Sequence, residues 1–269
     1  MESRVQPPMN RQEHFDINRA AWDAYQADYM RFNLMDHPDF FERLGSGDVM
    51  LDDEVVELAG DVAGLDLLDT SCASDAKQAF SWANLGARVT ACDIAPTAIE
   101  IARENARHLG LDVKFHVADA QTLDPISDES QDLVYATHLG WLEDIELAVS
   151  TWSRVLRAGG RLLIDMDHPV TNILEKSNEG LRVEWPYFDR SPETYEFTGT
   201  PLAKKHGGWD KSMPILWFHH TLADVFNTLV KAGLGIERVV ERPYFPHASE
   251  LPDAISILAR KPVPTGPTI

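Results

Sequence analysis

Four polar residues close four successive apolar runs in the middle of this chain: Asp69, Asp93, Asp119 and His138. The first two bracket residues 65–93, which read as apolar run, small polar turn, helix, second apolar run and terminal acid. That is the layout of a βαβ unit. An acid ending the second strand of such a unit can accept hydrogen bonds from the paired hydroxyls of a ribose. The turn itself, Ser71-Cys72-Ala73-Ser74-Asp75, lacks the glycines that let backbone N–H groups approach a pyrophosphate. The pattern points to a nucleoside without phosphates. Each acid alone has an ordinary reading as a turn residue or helix cap. Four in register at strand ends, where open α/β sheets bind ligands, make a site.

Positioning these residues requires a parallel sheet. Strands are expected at 65–69, 88–93, 113–118, 132–137 and 161–166, with helices at 77–85, 96–109 and 146–156 between them. Pro96 in the first turn of its helix and Gly110 just past the end match the usual placement of these residues. A helix at 221–232 and strands at 236–241 and 254–260, the two strands separated by a Pro-rich loop, close the sheet. Alternating strands and helices joined by short turns predict a sheet covered on both faces. Ahead of it, residues 1–15 read as disordered, and a helix starts at Asp16 as its cap, with Trp22, Tyr25 and Tyr29 on one face. Asp36-His37-Pro38 breaks that helix, and a short one follows at 51–58. Residues 170–216, rich in aromatics and turn residues, read as an insertion of irregular or short antiparallel structure.

Composition narrows the partners. The chain has 269 residues, 44% hydrophobic and 25% charged, enough for one α/β domain with a cap. Its 43 acids against 24 bases give a net charge of −19, which argues against nucleic acid and against anionic membranes. No apolar run approaches membrane-span length, and the first residues lack a signal-peptide core, so a cytoplasmic location is expected. Cys72 and Cys92 read as a buried reduced pair rather than a disulfide or metal site, and no cluster has metal-ligand spacing. A small-molecule partner is what remains. A homodimer stays open.

Four segments resemble the class I S-adenosylmethionine-dependent methyltransferases. They are Gly86-Ala87-Arg88-Val89-Thr90-Ala91-Cys92-Asp93-Ile94-Ala95-Pro96, Val117-Ala118-Asp119-Ala120, Asp132-Leu133-Val134-Tyr135-Ala136-Thr137 and Arg154-Val155-Leu156-Arg157-Ala158-Gly159-Gly160-Arg161-Leu162. Asn18-Arg19-Ala20-Ala21-Trp22-Asp23 with Tyr29 is similar to the lid helix of small-molecule members. The resemblance covers about residues 16–170 and, more loosely, 217–261. It implies an α/β, Rossmann-like, seven-stranded and mostly parallel sheet with helices on both faces, an N-terminal helical lid and an insertion after the fifth strand. The chain then divides into a tail and lid (1–50), a cofactor-binding core (51–169), a cap (170–216) and a last helix with two strands (217–269). By the same resemblance, Asp69 with Ser71, Cys72 and Ala73 would line the methionine part and sulfonium of S-adenosylmethionine. Asp93 would hold the ribose and Ile94 would lie against the adenine. Asp119 and Ala120 would face the adenine edge, Thr137 and His138 the methionine amino group, and Tyr29 would close the lid.

The chain departs from the family in the turn, where GxGxG is usual, and its Asp69-to-Asp93 spacing is one residue longer than common. Alanine is tolerable there where φ is negative and strained where φ is positive. Methyl transfer from a sulfonium is an in-line displacement, needing a general base only when the nucleophile arrives protonated. His138, His168 and His220 are the candidate bases, with His168 and His220 favoured because they flank the rim where the family's acceptors sit. Each can equally be a histidine satisfied by backbone. Trp141, Tyr187 and Trp217 are candidate walls of an acceptor pocket. Two alternatives stand beside an O-, N- or S-methyltransferase. One is an NAD(P)-dependent oxidoreductase using Asp93 for its ribose; the other is a non-catalytic or non-methylating protein on a degenerate methyltransferase fold.

Overall fold

A computed structural model of the chain describes residues 10–177, 180–243 and 251–264. It opens with a long helix, α1 (Arg11–Asp36), followed by the short α2 (Phe40–Gly45) and α3 (Asp53–Ala59). The core then runs β1 (Asp66–Asp69), α4 (Lys77–Asn84), β2 (Arg88–Asp93), α5 (Pro96–Leu109), β3 (Val113–Val117), β4 (Gln131–Thr137), α6 (Ile145–Val155) and β5 (Leu156–Asp167). Two hairpins follow, β6 (Leu174–Ser177) with β7 (Gly180–Val183) and β8 (Glu193–Phe197) with β9 (Met213–Trp217); α7 (Pro201–Lys205) lies within the second. The chain ends with α8 (Leu222–Lys231), β10 (Gly235–Arg242) and β11 (Ala254–Arg260).

Seven strands form one sheet in the order β10-β11-β5-β4-β1-β2-β3. β11 runs antiparallel to both neighbours, and every other pairing is parallel. The order reverses between β1 and β4, which opens a crevice beyond their C-terminal ends. The central strands are almost wholly buried, as apolar runs covered on both faces must be. One core layer packs α6 and α8 on one face around Trp152, Ile164 and Leu229; another packs α2 to α5 on the other around Phe80, Trp82 and Leu133.

A third apolar cluster stands apart from the sheet. Tyr25 and Phe32 of α1 meet Phe197, Trp209 and Ile215 of the insertion. Asn18 joins the two like a strand partner, donating to the Leu216 carbonyl at 3.0 Å and accepting from the Leu216 N–H at 2.8 Å. Lid helix and cap hairpin are thereby one packed body above the sheet.

The start of α1 corrects the sequence reading. The helix begins at Arg11, and its cap is Asn10, whose side chain accepts from Glu13 N while the Glu13 carboxylate accepts from Asn10 N. This capping box satisfies two orphan helix donors at once, so residues 10–15 are ordered and Asp16 lies inside the helix. The rest of the segment expected to be disordered, 1–9, lies outside the described residues, as do 244–250 of the Pro-rich loop and 265–269 of the tail. The insertion carries the short antiparallel pairs expected of it. Among the described residues, no helix is long and apolar enough to cross a membrane.

Candidate functional site

A cavity of about 650 Å³ lies over the C-terminal ends of β1, β2 and β4. Its roof is the inner face of α1, where His14, Asn18, Trp22, Gln26 and Tyr29 recur at three- and four-residue spacing. Its floor carries Ser71, Ala73, Asp93, Ile94 and Thr137, with Asp119, Ala120 and His138 along the sides. The strand-end residues expected to converge do so, except where noted below.

Asp93 ends β2, and each of its carboxylate oxygens accepts a backbone N–H: Oδ2 from Ala73 and Oδ1 from Ala95, both at 2.9 Å. Burial pushes its pKa up to about 6, against the pull of those two N–H groups, and Asp23 and Asp75 add to the rise. Asp69, at the end of β1, is raised to about 7, chiefly by burial and further by Asp93 and Asp75. Asp75, missed in the sequence reading, lines the cavity and is likewise raised by burial. Three acids so arranged make the site one that a cation relieves.

The glycine-free turn keeps the backbone that glycines would supply. Ala73 and Ala76 sit at φ 53° and 45°, in the left-handed region. Neighbouring contacts hold them there. Ser74 N and Oγ donate to Gln26 of the lid, both at 2.9 Å, and Asn105 donates to the Ser74 carbonyl at 3.0 Å. Asn33 donates to Asp75 at 3.0 Å, as does Tyr29 at 3.4 Å. The Ser71 and Thr137 hydroxyls pair at 2.9 Å across β1 and β4. From α1, Asp23 accepts from Thr97 N at 2.7 Å and so caps α5, which has no side-chain cap of its own.

Asp119 accepts from Gln121 N at 2.8 Å and from its amide at 3.2 Å, and Gln121 in turn accepts from Asp144 N. His138 is exposed at φ 54° on the cavity rim. Trp141 and Trp217 meet edge to face, centroids 4.6 Å apart, and Trp22 meets Trp141 the same way at 5.0 Å. The Trp217 indole lies so close over Gly140 that a Cβ there would fall 2.1 Å from the ring.

Several expected residues are not on this cavity. Asp69 and Cys72 are sealed behind its wall; Asp69 Oδ1 accepts from Ser71 N at 3.2 Å, while Oδ2 is buried without a partner among the described residues. Burial raises the Cys72 thiol well above its ordinary value, which removes it as a nucleophile. His168 is buried away from the cavity with both ring nitrogens used: Nδ1 accepts from Val170 N at 3.2 Å and Nε2 lies 3.0 Å from the Glu241 carboxylate. It ties the chain after β5 to β10. His220 donates from Nε2 to the Leu142 carbonyl at 2.8 Å, and burial lowers its pKa. With Tyr187, whose hydroxyl accepts from Leu222 N at 3.2 Å, it lines a separate recess of about 20 Å³ beside the main cavity.

Two further groups on the wall went unpredicted. Arg242, buried at the end of β10, binds Asp165 of β5 at 2.7 Å. Nothing in the sequence announces a pair that forms only through the β5–β11–β10 register. His14, the other, had a signal in the capping box that starts α1.

Residues 68–164, from β1 to β5, match the family model described as "Methyltransferase domain". Methyltransferase GfsG from Streptomyces halstedii is 27% identical over 56% of this chain and 55% of its own length. A malonyl-[acyl-carrier protein] O-methyltransferase from Hahella chejuensis is 33% identical over 41% of this chain and 39% of its own length. The chain thus spans about half or less of these curated relatives. Among solved structures, an S-adenosylmethionine-dependent methyltransferase from Mesorhizobium loti shares the fold at a TM-score of 0.60, with 21% identity over 77% of this chain and 95% of that one.

Proposed function

We propose that the chain is a class I S-adenosylmethionine-dependent methyltransferase, a reading supported by the match of residues 68–164 to a methyltransferase-domain model, and that it binds S-adenosylmethionine in the 650 Å³ cavity and transfers the methyl group to O, N or S of a small-molecule acceptor. The observation that carries this reading is the Asp93 carboxylate, fixed by two backbone N–H groups at the end of β2 and open to the cavity. A carboxylate has about four lone-pair sites, so two remain for the hydroxyls of a ribose.

The surrounding residues fit the rest of the cofactor. Asp119 and Ala120 border the same chamber as Asp93, where they could meet an adenine edge, and Ile94 offers an apolar face. At the other end Asp75 lines the chamber and supplies negative charge for an ammonium and a sulfonium, with Asp69 behind the wall adding to the local potential. The turn holds no phosphate cradle. Bound there, S-adenosylmethionine supplies a methyl group on a cationic sulfur. The chain's own part is to orient, to exclude water and to neutralise charge: α1 roofs the chamber through Gln26, Tyr29 and Asn33, and Trp22, Trp141 and Trp217 wall an apolar place for an acceptor. A net charge of −19 favours a small acceptor over a nucleic acid.

Calorimetry with S-adenosylhomocysteine and, in parallel, NADH tests the cofactor assignment. Heat from the first and none from the second is expected. Binding of NADH alone, or of neither at millimolar ligand, overturns it.

A further inference from the structure

With His168 and His220 off the main cavity, the buried imidazole that faces it is His14, in the first turns of α1. Its ring is 5.8 Å from Phe218, and Glu143, also on the cavity wall, brings Oε2 to 3.1 Å from Nδ1. The contact is one of charge proximity, since Nδ1 is buried without a well-aligned hydrogen bond among the described residues. No group among the described residues bonds Nε2. The arrangement has the elements of a base and its orienting carboxylate: one ring nitrogen lies 3.1 Å from an acid, and the imidazole lines the chamber. His138, on the same rim, has no acid within ion-pair distance among the described residues and is exposed. The charged groups around His14 are Arg11 on its own helix, which lies 3.9 Å from Asp144, and Glu143 and Asp144 ahead of α6; His219, next to Phe218, is paired with Glu193.

We propose that His14, positioned by Glu143, is the general base of the reaction, and that the acceptor is a flat aromatic bearing an ionisable hydroxyl. This rests on the methyltransferase reading above. The chemistry follows from two features. Trp22, Trp141, Trp217 and Phe218 give the chamber beside His14 aromatic walls suited to a planar ring. A neutral phenol is a weak nucleophile, so its proton must leave as the bond forms. The hydroxyl oxygen bonds to the methyl carbon, the carbon–sulfur bond breaks with its electron pair going to sulfur, and the proton passes to His14 Nε2. The imidazolium is then balanced by Glu143. A positioned base of this kind contributes about 10²–10⁴-fold to turnover.

The test uses the full chain saturated with S-adenosylhomocysteine and 4-nitrophenol as the probe, whose ionised form has its own absorbance band. In the native complex the bound probe is expected as phenolate at pH values where the free probe is protonated. In His14→Asn its apparent pKa should rise by about one unit or more, a tenfold change in ionisation; Glu143→Gln should move it the same way by less. Affinity for S-adenosylhomocysteine should stay within about threefold in both variants, and the milder Glu143→Gln keeps the test usable if His14→Asn unfolds. Equal probe ionisation in native and variant proteins, or no probe binding at millimolar concentration, overturns the assignment of His14 while leaving the cofactor reading standing. Failure of S-adenosylhomocysteine to bind the native protein overturns both.

Discussion

Replacing Asp93 with Asn should separate cofactor binding from folding, because the two depend on opposite properties of the same carboxylate. For binding, the charge is what matters: two charge-assisted hydrogen bonds to a ribose diol contribute about 1.5–3 kcal/mol each. An amide keeps at most one acceptor oxygen and no charge, so affinity for S-adenosylhomocysteine should fall by about 10-fold or more, at 1.4 kcal/mol per tenfold. For folding, the charge is a burden. A pKa raised by burial from 3.8 to about 6 corresponds to about 3 kcal/mol of destabilisation once the group is ionised. The sign follows from linkage. The folded state binds the proton more tightly than the unfolded state, so the Asp93 contribution is most favourable below pH 3.8 and is lost as pH rises through about 6. At pH 8 the amide removes that burden, and it gives up one backbone acceptor, at Ala73 or Ala95, for about 1–3 kcal/mol. The variant without ligand should therefore unfold at or slightly above the native midpoint at pH 8, while the stabilisation added by S-adenosylhomocysteine shrinks. Native affinity should rise between pH 5 and 7 as Asp93 ionises, and the variant's should be flat across that range. Calorimetry over this pH range with urea unfolding at pH 8 reads all of this. A dissociation constant within threefold of native would refute the ribose assignment. An apo protein destabilised by several kcal/mol at pH 8 would refute the electrostatic argument.

Asp69→Asn should stabilise the apo protein at pH 8 by up to about 4 kcal/mol, since burial raises Asp69 to about 7 and its Oδ2 has no partner among the described residues; the gain over native should shrink as pH falls from 8 to 5, read by urea unfolding at both values. Ala76→Gly relieves about 1–2 kcal/mol of left-handed strain against about 0.5–1 kcal/mol of added chain entropy, so a midpoint shifted upward by up to about 1 kcal/mol is expected, and a clear loss would show that the alanine is not strained. Gly140→Ala drives a methyl into the Trp217 ring and should lower stability by about 1–3 kcal/mol with S-adenosylhomocysteine affinity little changed; a native melting profile would mean Trp217 moves freely.

Much of the sheet was legible because its strands are short apolar runs ended by acids, and those ends are also where ligands bind. Asp93, Asp119 and Thr137 reach the cavity for that reason. What escaped has physical causes. Pro7-Pro8 and a polar start hid a helix whose beginning depends on the reciprocal Asn10 and Glu13 bonds, and with it went His14. Asp69 ends a strand as expected, but the fourth residue of β1 is too deep to reach the chamber. His168 follows β5 as expected, but the return of β11 and β10 alongside places Glu241 against it, so its ring is turned from the crevice. The pairing of Arg242 with Asp165 crosses 77 positions of sequence and leaves no local trace.

The turn that lacks glycines is better understood with α1 than by itself. Two alanines in the left-handed region cost of order 1–2 kcal/mol each, and such backbone persists only where its surroundings over-determine it. Here the surroundings are largely the lid. Gln26 takes both the Ser74 N–H and hydroxyl, Asn33 and Tyr29 hold Asp75, and Ala73 N is fixed by the same Asp93 oxygen that borders the cavity. Each of these buried bonds contributes about 0.5–1.5 kcal/mol net, and those to a carboxylate more, so together they exceed the strain. A glycine turn would hold its shape with the lid absent. An alanine turn holds it because α1 is seated, and α1 is seated on the cap hairpin through Asn18 and the Tyr25 cluster. The geometry at the floor of the cavity and the contacts at its roof therefore form one cooperative unit, in which disturbing the cap is felt at Asp93.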